Sequence, residues 1–74
     1  MENLRENVVN LKKMYPPGTR IRLIHMDDND PHPVPDGTTG IVSYVDDVGT
    51  IHMTWDNGSS LGLIPDVDLF TVIK

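Results

Sequence analysis

The residues best suited to metal chemistry are three aspartates, Asp27, Asp28 and Asp30, flanked by His25 and His32. Carboxylates at alternating positions bind calcium when a bidentate acid follows further along the chain. Asp28 and Asp30 alternate, but no acid follows at that distance, and three prolines stiffen the segment. We interpret it as a solvated turn in which aspartates cap backbone amides, keep ion binding as the alternative, and predict no metal site.

Other patterns for catalysis are lacking in the sequence. There is no cysteine, which excludes disulfides and thiolate zinc sites. The histidines, His52 included, do not have zinc-ligand spacing, the serines lie outside any strained glycine-flanked turn, and no glycine-rich loop opens a helix. Paired aspartates fall in predicted turns, where solvent keeps carboxyl pKa values near their ordinary range. We therefore expect no enzyme activity and no cofactor.

Charge is distributed unevenly along the chain. Residues 1–26 carry five basic and two acidic side chains, whereas residues 27–74 carry nine aspartates and one lysine, and the net charge is −5. Phosphate binding depends on Lys and Arg, so the acidic body disfavours nucleic acid. The alternative is a basic face built from the N-terminal third, with Arg20 and Arg22. A third hypothesis, an acidic mimic of DNA, requires the aspartates to cluster on one face.

One helix is predicted, over residues 3–14. Leu4, Val8, Leu11 and Tyr15 form a single apolar stripe at helical spacing, and the Pro-Pro-Gly sequence at 16–18 ends the element. A helix this short is marginal alone in water. We expect it to dock on the rest of the chain; the alternative is a homodimer built on the same stripe.

Five short strands are predicted, over residues 19–26, 38–46, 50–55, 60–64 and 70–73. The sequence Asn57-Gly58 predicts a two-residue type I′ hairpin turn, which needs positive φ at both residues. Residues 65–68 are typical of a 3₁₀ turn. The pattern predicts a mainly β fold: a small five-stranded SH3-like barrel over 15–74, preceded by an N-terminal α-helix over 1–14. A five-stranded OB-type barrel is the alternative, although it usually has a helix between its third and fourth strands.

Alternation assigns side chains to faces. Ile21 and Leu23 should face inward, with Arg20 and Arg22 outward. Along the second strand, the pattern places Val42 and Tyr44 on one face, with Ile41 and Val45 on the other, and Gly40 indicates a bulge or a close backbone approach.

Trp55 shares its predicted face with Ile51 and Met53, so a core position is favoured over a partly exposed anchor. Many small barrels bind proline-rich peptides in an aromatic groove beside acidic residues. Tyr15, Tyr44, Trp55 and Phe70 are the aromatic residues available for such a groove. The candidate partner-binding residues are therefore Arg20, Arg22, Tyr44, Asp46, Asp47 and Trp55.

Five segments, at residues 15–24, 26–28, 37–40, 45–49 and 55–61, resemble a small bacterial and phage family, domain of unknown function 4314. The resemblance covers about residues 15–73 and leaves the helix outside. It implies a compact β-barrel module, often encoded by phages and mobile elements, and it supplies no catalytic residues.

The leading hypothesis is a non-enzymatic binding or adaptor module that acts by protein–protein contact. The N-terminus has no signal-peptide pattern and no apolar run is long enough to span a membrane, so we expect a cytoplasmic protein without a membrane partner.

Overall fold

A computed structural model of the chain describes residues 4–26 and 32–73, and within the helix it describes side chains from residue 7 onward. The elements are α1 (Leu4–Met14), β1 (Arg20–His25), β2 (Thr39–Val45), β3 (Ile51–Trp55) and β4 (Leu69–Val72). The strands form one antiparallel sheet in the order β3-β2-β1-β4. The mainly β fold with one N-terminal helix is thus confirmed. In the described ranges no helix has the length and apolarity needed to cross a membrane.

The five-stranded closed barrel is not confirmed, because the described strands number four and their sheet does not close on itself. The predicted strand at 60–64 is reduced to one isolated bridge, in which Ile51 and Leu63 exchange two backbone hydrogen bonds of 2.9 and 2.8 Å. The indole N–H of Trp55 donates to the Leu61 carbonyl at 2.8 Å, so a side chain occupies an acceptor that a regular ladder uses. The segment therefore lies along β3 without pairing as a strand.

The hairpin turn at Asn57-Gly58 differs from the predicted type I′ form. Gly58 has a φ of 89°, but no non-glycine residue in the described ranges has positive φ. Gly58 N donates to Trp55 O, and Trp55 N donates to Ser59 O, both at 3.0 Å. The connection is a three-residue loop that ends in a left-handed glycine, which is the next commonest way to join two antiparallel segments.

A bulge in β2 overturns the predicted facing of Tyr44. Val42 lies opposite Met53 and Tyr44 lies opposite His52, so the register shifts by one residue at Ser43. One extra residue reverses the alternation beyond it. Consequently Val42 and Val45 are both buried, whereas Tyr44 is exposed.

Helix α1 docks on the sheet of its own chain, as expected. Val8 is buried, and Leu11 and Tyr15 pack against the core. The Tyr15 ring meets Phe70 edge to face, with centroids 5.6 Å apart. Three of the four residues of the apolar stripe therefore contact the core of the same chain. The side chain of Leu4, the fourth, lies outside the described side chains.

Trp55 is 2% exposed and packs across the sheet on Gly40. A Cβ atom on Gly40 would lie 2.8 Å from both the Thr54 carbonyl oxygen and the Trp55 ring. The glycine thus marks the close backbone approach that the sequence indicated, while the bulge lies elsewhere. The other buried apolar residues are Val8, Ile21, Leu23, Met26, Val34, Val42, Val45, Ile51, Met53 and Leu63.

The variant Gly40→Ala is expected to lower the free energy of unfolding by about 1–3 kcal/mol, because its methyl group overlaps a backbone carbonyl that cannot move independently. Urea unfolding followed by the fluorescence of Trp55 measures the change. Ser60→Ala, an exposed loop position, is the control and should leave the midpoint unchanged. Equal midpoints for both variants would show that Gly40 is not sterically required.

Candidate functional site

The candidate residues from the sequence fall into three groups. Arg20 and Arg22 are exposed on the face of the sheet opposite the core, which we call the outer face. Tyr44 lies on the same face, and Asp46 and Asp47 lie in the turn that follows it. Trp55 is buried, so its ring offers no surface to a partner.

Tyr44 is the centre of the best-organised exposed cluster among the described residues. Its ring is stacked on the imidazole of His52, with centroids 4.3 Å apart and planes 4° from parallel. Tyr44 is nevertheless 52% exposed, since His52 covers only one face of the ring. The stack holds an aromatic surface toward solvent in one orientation.

The Asp46 carboxylate holds the imidazole of His52 in this stack. Its Oδ2 lies 2.8 Å from His52 Nε2, and its Oδ1 accepts the backbone N–H groups of Val48 at 3.0 Å and Thr50 at 2.9 Å. The hydrogen bond from His52 is the largest cause that lowers the pKa of Asp46 below its ordinary value of 3.8; the Thr50 N–H follows, and desolvation opposes both. One carboxylate therefore ties the β2–β3 turn to the imidazole beneath Tyr44. The lowered pKa of Asp46 corrects the expectation that the pKa values of the turn aspartates stay near their ordinary range.

Helix α1 forms the other wall of this surface. Lys12 Nζ lies 3.1 Å from Asp47 Oδ1 and so joins the end of the helix to the β2–β3 turn. An ion pair this exposed contributes little to stability. Between the two elements runs a groove of about 290 Å³, lined by Lys12, Tyr15, Pro17, Tyr44 and Val45. We define the Tyr44 patch as the exposed and half-buried side chains of this region: Lys12, Tyr15, Pro17, Tyr44, Asp46, Asp47 and His52.

The two arginines lie on the outer face beside neighbours of mixed character. Arg20 is opposite Ile41, and its guanidinium is 3.9 Å from Asp56 Oδ2. The Thr39 hydroxyl donates a hydrogen bond to that same carboxylate and holds it in place. Arg22 is opposite Thr39 on one side. The positive charge of Arg20 on the outer face is therefore partly compensated by the carboxylate of Asp56, which Thr39 holds in place.

A second groove, of about 500 Å³, separates α1 from the turn at 64–66. Met14, Val48 and Ile64 line it and are exposed. Asn7, Asn10 and Asp66 also line it, but no described side chain there binds turn amides and an imidazole as the Asp46 carboxylate does, so it is the less specific of the two surfaces.

The described aspartates do not gather on one face. Asp36 lies 3.0 Å from His25, at the opposite end of β1 from Arg20 and its neighbour Asp56. Asp68 is buried and accepts the Ile64 N–H at 2.9 Å, which corrects the expectation that all the aspartates lie in solvated turns. The acidic residues are thus distributed over separate turns, and most carry out local structural roles.

No group of three or more His, Asp or Glu side chains in the described ranges is arranged to hold a metal ion. The candidate ion-binding aspartates Asp27, Asp28 and Asp30 lie outside the described residues.

Four members of the patch were not among the candidate partner-binding residues: Lys12, Tyr15, Pro17 and His52. Of these, Tyr15 alone was named as available for an aromatic groove. The predicted alternation put Tyr44 on the wrong face, so no cross-strand stack with His52 could be anticipated. The role of Asp46 could have been predicted from its position at the start of a hairpin turn that ends in Gly49, since an aspartate there commonly accepts hydrogen bonds from turn amides.

Comparison with known proteins gives one positive finding. A family model described as Domain of unknown function (DUF4314) matches residues 4–73. No curated protein and no solved structure matches the chain. The match includes α1, whereas the resemblance read from the sequence began at residue 15.

The lowered pKa of Asp46 predicts an acid-sensitive turn. Because the folded-state pKa lies below 3.8, the carboxylate stabilises the fold fully above that value, and the contribution is lost as pH falls through the lowered pKa. Urea unfolding between about pH 6 and about pH 2 should show this loss in the wild type, and Asp46→Asn should show a flatter profile. Asp47→Asn, at the neighbouring carboxylate that accepts no turn amide, is the control and should keep the wild-type profile. Identical slopes for wild type and Asp46→Asn would contradict the assignment.

Proposed function

The chain belongs to the DUF4314 family, whose description assigns no activity, and we propose that it is a non-enzymatic protein-interaction module that binds its partner through the Tyr44 patch. The observation that supports this most is the Tyr44–His52–Asp46 arrangement, in which the half-exposed Tyr44 ring is stacked on an imidazole that is itself hydrogen-bonded to Asp46. An aromatic side chain that is already ordered loses little conformational entropy on binding, and tyrosine is enriched among residues that dominate binding energy.

The composition of the patch favours a protein partner. It combines two tyrosines and a proline with charged groups of both signs, Lys12 and Asp47, at its margin. Aromatic residues at the centre and polar groups at the rim are typical of protein interfaces.

The groove indicates the shape of the bound segment. Its walls are Tyr15, Pro17 and Tyr44, and it is shallow and open to solvent along the side of the sheet. An extended segment with apolar or proline residues fits such a groove, and the Asp47 side chain, 95% exposed, is placed to meet a basic residue of that segment.

We further propose that the fold is an open variant of the SH3-like barrel. The supporting observations are the Ile51–Leu63 bridge, which aligns residues 61–64 beside β3, and the hydrogen-bonded turn that leads from Ile64 into β4. In this variant the segment that follows the Gly58 loop occupies the place of the predicted fourth strand, and β4 is the predicted fifth. A cytoplasmic location in a phage or mobile-element setting belongs to the same proposal and rests on the family resemblance and the lack of cysteine.

Nucleic-acid binding is the second candidate, because Arg20 and Arg22 share the outer face with Tyr44. Against it, Asp56 lies beside Arg20 and Asp47 beside Lys12, so the positive charges are locally compensated. Phosphate binding requires an uninterrupted basic surface, which makes this the weaker candidate. The DNA-mimic hypothesis is not proposed, since the described aspartates are dispersed.

The variant Tyr44→Ala is expected to weaken partner binding by about 30-fold, equivalent to about 2 kcal/mol, because it removes the ordered ring. The protein partner is first captured from the native host by tagged wild type, then purified and titrated calorimetrically against each variant. Val67→Ala, an exposed apolar position outside the Tyr44 patch, is the matched control and should bind as the wild type does.

The double change Arg20→Glu and Arg22→Glu separates the two candidates. It should leave protein binding nearly unchanged and should abolish any binding of single-stranded or duplex DNA. Salt-sensitive binding of nucleic acid alone, lost in the double variant and retained in Tyr44→Ala, would overturn the proposal in favour of the second candidate.

A further inference from the structure

The edge strand β4 is short and pairs with β1 across a bulge between Leu23 and His25, but it has no charged or proline residue to protect its outer edge. Within the described residues it pairs only with β1, and its sequence, Leu69–Val72, contains no charge and no proline. Leu69 and Val72 are exposed. Soluble proteins normally protect such an edge with a lysine, a proline, a bulge or a covering loop, because its free N–H and C=O groups can pair with another strand.

The hydrogen-bonding pattern shows which groups of β4 are directed outward. Ile73 N donates to Arg20 O at 3.0 Å, and Thr71 lies opposite Arg22. Alternate residues of an antiparallel strand direct their backbone groups to opposite sides. The N–H and C=O groups of Phe70 and Val72 are therefore directed toward the open edge.

The side chains of these same two residues lie on the core face. Val72 is opposite Ile21 and Phe70 is opposite Leu23, and both partners on β1 are fully buried. Val72 is nevertheless 50% exposed. The core face thus ends at β4 with apolar side chains that a further strand would cover.

We propose that a second copy of this chain supplies that strand, with the two β4 strands antiparallel and Thr71 on the two-fold axis. This register places Phe70 opposite Val72 of the second copy on the core face, and Leu69 opposite Ile73 of the second copy on the outer face. The residues whose backbone groups are directed outward then form the hydrogen-bonded pairs. A shift of one residue would oppose Phe70 to Thr71, whose side chain faces the other way, so the facing of the side chains excludes that shift; among the remaining registers, the one centred on Thr71 pairs the largest number of the strand's residues.

The sequence around Thr71 is what favours a second copy over an unrelated strand. Two apolar residues precede Thr71 and two follow it, so the strand is complementary to itself when it is reversed. An aromatic residue paired with a β-branched residue across strands is also a favourable combination.

The short edge limits the strength of the association. A stable dimer buries about 1,200–2,000 Å² in total, more than two four-residue strands provide. The dimer is therefore expected to be weak and concentration-dependent, and added salt should favour it, because each copy carries a net charge of −5.

The test compares Val72→Lys with Val9→Lys. The two valines are 50% and 45% exposed, so the same charge enters at nearly equal exposure, in the first case at the proposed interface and in the second on α1. Sedimentation equilibrium from about 10 μM to about 1 mM should show the wild-type mass rising above 8.3 kDa with concentration, and Val9→Lys should behave like the wild type. Val72→Lys should remain at the monomer mass.

Amide NMR of the full chain locates the contact. With increasing concentration, the amide signals of Phe70 and Val72 should shift and their hydrogen exchange should slow. Near-ultraviolet circular dichroism of Trp55 verifies that each variant is folded, and Val72→Pro, which removes one outward N–H at an edge position, repeats the test without a charge.

Two results would overturn the proposal. One is a wild type that stays monomeric throughout the concentration range, and the other is a dimer whose shifted amides lie at the Tyr44 patch or on α1 instead of β4. The proposal is independent of the partner-binding role, because Val72→Lys leaves the Tyr44 patch intact and Tyr44→Ala leaves the β4 edge intact.

Discussion

The side chain of Trp55 fills the centre of the buried face and connects three segments of the chain. It packs against the bare backbone of Gly40 on the neighbouring strand, and its indole N–H holds the Leu61 carbonyl. The segment after the hairpin is thereby kept beside β3, where Leu63 covers the core. A buried tryptophan contributes more apolar area than any other residue, so a chain of this size depends heavily on one such contact.

Local periodicity predicted most of this arrangement. The period-two pattern placed Ile51, Met53 and Trp55 on the core face, and the helical stripe placed Val8 and Leu11 on the docked side of α1. The strand and helix periodicities are reliable because each depends only on residues close in sequence. Within one element, the positions that face the core are the ones that carry apolar side chains. The glycine that ends each hairpin loop was recognisable for the same reason.

Features set by contacts between strands were not predictable. The bulge at Ser43 arises from how β2 aligns with β3, and nothing in the sequence of β2 alone marks its position. The bulge determines the candidate site, because it turns Tyr44 outward onto His52. Likewise, residues 60–64 have strand-like composition, but the Trp55 indole takes a carbonyl that a strand would use. Tyr44 and Asp46 were identified from the sequence, whereas the imidazole that joins them was not.

The strand order separates the two proposed contact surfaces. The Tyr44–His52 stack lies on β2 and β3, and β1 stands between it and the free edge of β4. In the proposed dimer the two-fold axis is perpendicular to the sheet, since core faces must join core faces. Both Tyr44 patches then lie on the same side of one continuous sheet. A partner with repeated motifs could then bind both Tyr44 patches of one dimer, and binding at the first patch would raise the effective concentration of its second motif at the other patch. Weak self-association would therefore increase the affinity for such a partner without any new contact at the patch.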